Sequence, residues 1–348
     1  MQHPADAVIA VTFRCNAHCA MCNVWRSRCA DALRPEHMDK LPSSLRTINF
    51  SGGEPFLRDD LPEFVRRARR RCPRARITLS TNAYLPDRIF DAMAEIRAID
   101  PHVRLAVSVD GLGPAHDRIR GDAGAFEAAV TLIDRLVADG FDRLRLSMTL
   151  WRDNLDQLIA VAELAAERGL ELGVVAAHAA ETHLGIGDLE QAAMPPHARQ
   201  SFQRVVGRWL RSWRPKQWAR AHFAVGTYRR LAGRPWRVRC RAGEDFFFLQ
   251  ADGTVYSCSV RGRSLGDLVE QDWDTIAAGP AVRETLRAAR RCPERCWMIC
   301  TARSAYRRRP WAAAGWIALT KPLAHLRLLR LRRARPEPWE SPRADSAR

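Results

Sequence analysis

Six short apolar runs punctuate the first half of the chain, at residues 8–13, 47–50, 77–79, 103–109, 144–150 and 170–175, and helical patterns lie between them at 61–71, 87–96, 126–139 and 155–168. Apolar, β-branched runs that do not alternate with polar residues belong to strands covered on both faces, and the amphipathic stretches supply the cover. The pattern predicts a parallel sheet of βα units. Right-handed crossovers curl six such units into a partial barrel, whose reactive groups gather at the C-terminal ends of the strands. After about residue 200 the alternation stops. Residues 205–239 read as helix and connector, 246–249 and 255–260 as a hairpin around Asp252-Gly253, and the remainder as helices leading to a cysteine-rich end. These divisions predict a barrel over 1–205, a basic connector over 206–239, a small domain over 240–305 and an appended tail over 306–348.

Ten cysteines are present, and the compartment decides their use. The first residues carry no basic segment ahead of an apolar stretch, and no run of about 18 apolar residues occurs, so neither a signal peptide nor a spanning helix is expected. The expectation is a reducing cytoplasm, where thiols serve as metal ligands or buried side chains more often than as disulfides. Eight fall into two groups: Cys15, Cys19 and Cys22 near the start, and Cys240, Cys258, Cys292, Cys296 and Cys300 near the end. Cys29 and Cys72 stand apart and read as thiols without a role.

The net charge of +17 comes almost wholly from Arg, which reflects coding bias as much as need. Its distribution says more. From Arg204 to Arg241 there are twelve basic residues and no acidic one, and from Arg303 to Arg335 there is again no acid. One-signed blocks suit an anionic partner: phosphate, nucleic acid or an acidic membrane surface. Trp209, Trp213, Trp218 and Trp236 interleave with Arg, a combination that stacks on bases or grips phosphates when exposed, and packs on a barrel when it is not. In the tail, Trp311, Trp316, Ile317, Leu319, Leu323 and Leu326 precede Arg327, Arg330, Arg332 and Arg333. That order suits an interfacial helix with a cationic end lying on an anionic membrane. Pro322 interrupts it, and Trp339 follows in a Pro-rich end.

Cys15-Asn16-Ala17-His18-Cys19-Ala20-Met21-Cys22 sets three thiols within eight residues, directly after the first predicted strand. A [4Fe–4S] cube takes four thiolates, so three on one loop leave an iron open to a substrate or cofactor. Zinc is the competing metal, but structural zinc takes four closed ligands. The loop resembles that of the radical S-adenosylmethionine (SAM) superfamily, whose CxxxCxxC follows the first strand of a partial (β/α)6 barrel. The resemblance implies that SAM chelates the open iron and that one electron from the cluster breaks its sulfonium bond. A 5′-deoxyadenosyl radical then takes a hydrogen atom from the substrate. The aromatic residue usual before the third cysteine is Met21 here.

Three further matches lie at predicted strand ends. Ser51-Gly52-Gly53-Glu54-Pro55 resembles the family's GGEP turn, which implies that Gly52, Gly53 and Glu54 bind the methionine amino group. Glycines admit close backbone approach, and a carboxylate pairs with an ammonium. Ser80-Thr81-Asn82 and Ser108-Val109-Asp110-Gly111 follow the third and fourth strands. Ser80, Asn82, Ser108 and Asp110 there offer short polar groups for the ribose hydroxyls or the methionine carboxylate; Ser147, on the fifth strand, is a weaker case. His116, in His116-Asp117-Arg118-Ile119-Arg120-Gly121, is expected in a solvated loop from which an Arg can reach the cofactor carboxylate.

Cys240 is followed by twelve residues, then Gly253, four more and Cys258, which puts two thiols at the feet of the hairpin; Cys292, Cys296 and Cys300 add three at spacings of four. Five thiols suffice for one full cube and fall short of two, with zinc again the alternative. The pattern, together with Ser264-Leu265-Gly266-Asp267-Leu268 and Trp273, resembles the SPASM and twitch domains appended to many radical SAM enzymes. Fewer cysteines than a full SPASM set imply a truncated module with one auxiliary [4Fe–4S] cluster. Which of Cys292, Cys296 and Cys300 completes it stays open.

The expected architecture is therefore α/β: a partial (β/α)6 TIM-like barrel with a small C-terminal hairpin-plus-helix iron–sulfur domain. The expected function is reductive cleavage of SAM at a [4Fe–4S] cluster and abstraction of a hydrogen atom from a substrate that the sequence does not name. The resemblance implies an electron donor such as flavodoxin or ferredoxin, and an auxiliary cluster that accepts an electron from the substrate radical or anchors the substrate. Oxidation or crosslinking of a peptide or an anionic small molecule stands beside redox-neutral modification of a lipid or sugar. Tyr228, Tyr256 and Asp110 are the positions considered for a base or radical relay, and nothing selects among them. The reading from another class is a zinc-binding adaptor for nucleic acid or membranes, which explains the charge and the cysteines but not the GGEP turn.

Overall fold

The computed structural model describes residues 3–178, 180 and 195–333. Among these, nine strands form one sheet: β1 Asp6–Thr12, β2 Thr47–Gly52, β3 Arg76–Thr81, β4 Arg104–Ser108, β5 Leu144–Leu150, β6 Glu171–Ala176, β7 Phe246–Leu249, β8 Thr254–Tyr256 and β9 Ser264–Asp267. Their order is β6-β5-β4-β3-β2-β1-β7-β8-β9. β1 to β6 are parallel throughout. The helices between them are α1 Leu61–Arg71, α2 Pro86–Ile99, α3 Pro114–Arg120, α4 Ala125–Ala138 and α5 Leu158–Glu167. This is the α/β partial barrel that the periodicity predicts. Ile9, Phe50, Leu79, Leu105 and Leu146, one from each of the first five strands, are fully buried, as non-alternating runs require. Local chemistry sets the ends of α1. Pro62 sits in the first turn, where a missing N–H costs nothing. Arg69, Arg70 and Arg71 close the last turn against the negative end of the helix dipole.

The second half departs from the expected divisions. The boundary placed at 205 falls inside α6, Pro196–Arg211, and α7, Pro215–Leu231, packs against β6 as part of the barrel wall. The hairpin is not a separate body either. β7 pairs in parallel with β1, Asp6 opposite Phe246 through Ile9 opposite Leu249, and β8 and β9 extend the same sheet antiparallel. Gly253, at φ +100°, makes the expected turn, with Asp252 accepting from the Thr254 amide at 2.9 Å. Beyond it come α8 Trp273–Ala278, α9 Pro280–Arg291, α10 Ile299–Arg308 and α11 Pro310–His325. The boundary at 305 cuts α10. The segment expected as an appendage folds back: α11 runs through Pro322 and packs on α6 and α7, and Leu329 and Leu331 are buried. Trp339 and the rest of the tail lie outside the described residues. Among the described residues no helix is long and apolar enough to cross a membrane.

Trp297 fastens the cysteine-rich end to α7. Its indole is buried, donates to the Phe223 carbonyl at 2.8 Å and stacks on the Phe223 ring. A Cβ on Gly226 would lie 2.2 Å from that indole. Gly226→Ala should therefore lower stability by about 1–3 kcal/mol through overpacking. The check is a fall in the urea midpoint at unchanged slope; an unchanged midpoint would mean that the indole is free to move.

Candidate active site

The loop carrying Cys15, Cys19 and Cys22 leaves the C-terminal end of β1 and is held on three sides. At its start, Asp31 accepts from Thr12 Oγ1 at 2.7 Å and from Arg14 Nε at 3.1 Å. On the β2 side, the Gly53 amide donates to Thr12 O at 2.8 Å and the Glu54 amide to Arg14 O at 2.9 Å. On the far side, the His18 and Ala20 amides donate to the Arg120 and Ile119 carbonyls at 3.1 and 2.8 Å. Those carbonyls belong to the last turn of α3, where helix geometry leaves them without partners. The three thiols are half-buried and share this loop. Burial first, and then the neighbouring thiols among other charges, push the Cys15 thiol up to about 12 and the Cys22 thiol to about 11. Among the described residues no three His, Cys, Asp or Glu side chains stand close enough to hold a single metal ion.

Residues 116–121 overturn their expectation. They are not a solvated loop; they lie in α3 and its Gly121 cap, and His116 and Arg120 are buried. Arg120 is a buried side chain beside the cysteine loop that sequence reasoning did not single out. Its guanidinium pairs with Asp110 at 2.6 Å and reaches Cys19 Sγ at 3.8 Å. The Asp110 carboxylate, considered for the cofactor, is turned inward: besides Arg120 it accepts from the Thr149 amide at 2.7 Å. The Asp110 amide in turn donates to His116 Nδ1 at 3.0 Å. Burial, then Arg120, lowers the His116 pKa to about 3, so the ring stays neutral.

Glu54 is buried beneath the loop. Its two oxygens accept from the Phe56 amide at 3.2 Å and the Asn82 amide at 2.7 Å, tying the ends of β2 and β3 together. Asn82 Nδ2 donates to Asn16 at 2.8 Å and lies 4.0 Å from Cys15 Sγ, so Asn82 stands at the cysteine loop. Ser80 instead donates to Asn49 on the neighbouring strand at 3.3 Å, and Ser108 lies opposite Ser147 in the β4–β5 ladder. Tyr228 donates to the Arg332 carbonyl at 2.6 Å, in the tail. Tyr256 packs against the small apolar cluster of Ala10, Phe13, Val24, Phe248 and Ala251, and buried Cys72 faces Pro42 O at 3.4 Å. Trp209 is buried and Trp236 stacks on His222, 4.5 Å between centroids, which removes both from base stacking.

The other thiol group lies at the opposite end of β1. Cys240 precedes β7, Cys258 follows β8, and Cys300 feels the charge of Asp6. About 20 Å of strand separates this end from the first loop. Their charges act on one another: Cys258 and Cys292 raise Cys240 and Cys296, and Cys258 and Cys240 raise Cys300. Burial raises Cys240 to about 11 and Cys300 to about 12. His178, just past β6, was also missed. Its Nδ1 donates to Ala176 O at 2.6 Å, which makes buried Nε2 an acceptor without a partner among the described residues. Arg230 faces both His178 and Cys296.

A radical SAM superfamily model matches residues 9–165, and an iron–sulfur cluster-binding model, SPASM, matches 240–301. Residues 9–165 thus form a radical SAM superfamily domain, with a SPASM domain after it. The chain is 31% identical over 164 residues to Fe-coproporphyrin III synthase of Methanosarcina barkeri, covering 45% of this chain and 40% of that one. It is 27% identical over 263 residues to mycofactocin maturase MftC of Mycolicibacterium smegmatis, covering 71% and 62%. It thus spans less than two thirds of either relative. Streptococcus suis SuiB bound to precursor peptide SuiA shares the fold, with TM-score 0.60, 14% identity and coverage of 83% of this chain and 67% of that one.

The first match carries SAM and [4Fe–4S] chemistry and the second further iron–sulfur in the C-terminal domain, which sets the zinc adaptor aside. The residues fit those groups. A Cβ on Gly52 would lie 2.1 Å from Thr12 O, and one on Gly53 2.1 Å from Arg14 O, so only glycine lets the GGEP backbone come this close to the cysteine loop. That loop offers sulfur ligands alone, beside a buried cation.

The sign of a pH effect follows from Glu54. Burial, opposed by the amides it accepts from, raises its pKa from 4.5 to about 7. The folded carboxyl keeps its proton where the unfolded one has lost it. Its contribution to stability is therefore full below pH 4.5 and is lost as pH rises through about 7. The melting temperature of iron-free wild type should fall relative to Glu54→Gln across that window. Parallel pH profiles for the two proteins would refute the assignment.

Proposed function

We propose that the enzyme abstracts a hydrogen atom from a peptide seated over the barrel mouth and then oxidises or crosslinks it. The observation that carries this is the cysteine loop itself: three thiols clamped between the GGEP turn and α3, with Glu54, Asn82 and Arg120 behind them. Cys15, Cys19 and Cys22 would hold the catalytic [4Fe–4S] cluster. When bound, cluster and SAM supply the 5′-deoxyadenosyl radical, fed by a donor such as flavodoxin or ferredoxin.

The chain's own residues do the rest. Gly52 and Gly53 admit the methionine end of SAM, and Glu54 offers its ammonium a carboxylate. Asn82, and less directly Ser80 and Ser108, line the strand ends where the ribose and the methionine carboxylate would lie. Asp110 positions Arg120, whose guanidinium stands 3.8 Å from Cys19 Sγ. Cys240, Cys258, Cys292, Cys296 and Cys300 would supply the ligands of an auxiliary cluster that accepts the electron in an oxidation. A peptide is favoured because the relatives include a mycofactocin maturase and a fold neighbour bound to a precursor peptide.

Anaerobic reconstitution tests the assignments. Wild type should bind about eight irons, two cubes of four, and release 5′-deoxyadenosine on reduction. Cys19→Ala should retain about half the iron and lose SAM cleavage; undiminished cleavage would overturn the catalytic loop. Cys258→Ala should keep cleavage and lose oxidation of the substrate, which is identified by deuterium transfer from labelled peptides into 5′-deoxyadenosine.

A further inference from the structure

Most large apolar side chains that the fold leaves exposed are in one place. Trp213 is 87% exposed, Leu319 76%, Trp311 67%, Leu326 67% and Leu328 56%. Four of these five are on α11 or within three residues of its end, and Trp213 lies in the turn between α6 and α7, on which α11 packs. No exposed residue of α11 is Asp, Glu, Lys or Arg. Its only charged side chain, Lys321, is turned inward, 3.6 Å from the Trp218 ring centre and donating to Ser212 O at 3.3 Å. A surface helix of a soluble protein normally reverses this pattern, with charge outward.

The surroundings are basic. Folding α11 onto α6 and α7 brings together the two acid-free blocks, 204–241 and 303–335. Exposed Arg309 stands at the start of α11, and exposed Arg327, Arg330 and Arg333 follow its end. Beside that end is a groove of about 680 Å³ lined by Arg204, Arg208, Arg211, Arg327 and Arg330, with Glu163 its one acidic wall residue. An apolar helix face about 24 Å long, carrying Trp at its edges and ringed by arginines, has the chemistry of a helix lying in a bilayer interface. It is too short to span one.

We propose that α11 and the arginine groove form a membrane-docking surface, with the apolar face lying among acyl chains and the groove holding lipid phosphates of an anionic leaflet. The arginines that ring this face match lipid phosphates, and α11 itself exposes no Asp, Glu, Lys or Arg. Charge of one sign around an aliphatic face selects an anionic bilayer. The surface is distinct from the barrel mouth, and its test reads no turnover.

The test is flotation of the reconstituted full chain with vesicles of equal parts phosphatidylglycerol and phosphatidylcholine, against phosphatidylcholine alone. Wild type should float with the anionic vesicles only. Leu319→Glu/Leu326→Glu should weaken partitioning at least about ten-fold, and Arg327→Glu/Arg330→Glu should do so comparably. All four side chains are exposed, so cluster absorbance and melting temperature should match wild type. Equal binding to neutral vesicles, or undiminished flotation of the leucine variant, would overturn the proposal. So would a wild-type dimer that the leucine variant dissociates, which would make a second copy the occupant.

Discussion

The rest of the molecule depends on β1 being hydrogen-bonded on both sides. It pairs with β2 along one edge and with β7 along the other, both in parallel. The first pairing makes it a barrel strand, and the second makes the barrel and the C-terminal domain one sheet. Its far end delivers the cysteine loop. At its beginning, Asp6 pairs with Arg307 of α10 at 2.6 Å and receives the Thr47 hydroxyl at 2.7 Å. Both thiol groups are therefore set by the position of one strand, and neither can shift without breaking a ladder whose side chains are almost entirely buried.

One buried charge pair stands at the loop. Asp110 is fully buried and Arg120 nearly so, an arrangement that desolvation makes costly and that earns little net stability. Removing one partner would leave the other uncompensated, at about 3–5 kcal/mol. The pair holds α3 where its last carbonyls receive the loop amides, and it sets a cation beside Cys19. A neutral, well-packed substitute could satisfy the first requirement but not the second, which argues that the pair serves the thiols more than the fold.

Much of this was legible from spacing. The six strands, the cysteine loop, the GGEP turn and the hairpin all sit where periodicity and turn chemistry place them, because each is decided by residues close in sequence. α3 was not legible: seven residues with Ile119 as the one large apolar side chain carry no helical period, and the segment is buried only because the cysteine loop folds over it. Arg120 and His178 share that difficulty, since their surroundings come from residues on separate elements. Nor does anything local announce that residue 246 will pair with residue 6, or that α11 will find α6 and α7. Asp110 was noticed for the right position and the wrong direction; a strand-end carboxylate turns inward when a buried guanidinium waits there.

The excess of arginine had two explanations in the sequence, coding bias and a binding need, and the structure separates them by region. On the barrel helices the arginines are matched: Arg67 and Arg70 share Asp39, Arg88 meets Asp59, Arg168 meets Asp134, and Arg97 and Arg135 pair with Asp139 and Asp87. Bias toward Arg accounts for these, since Lys would serve an exposed pair as well. α6, α7 and α11 come from stretches without a single acid, so few of their arginines find a carboxylate, and those that do, such as Arg220 with Glu171, reach it across on β6. The net charge of +17 is accordingly not spread evenly along the chain; residues 204–241 and 303–335 hold many basic residues and no acid. Like charges packed together destabilise the compact state, so their retention beside exposed leucine and tryptophan marks a surface shaped by what it meets.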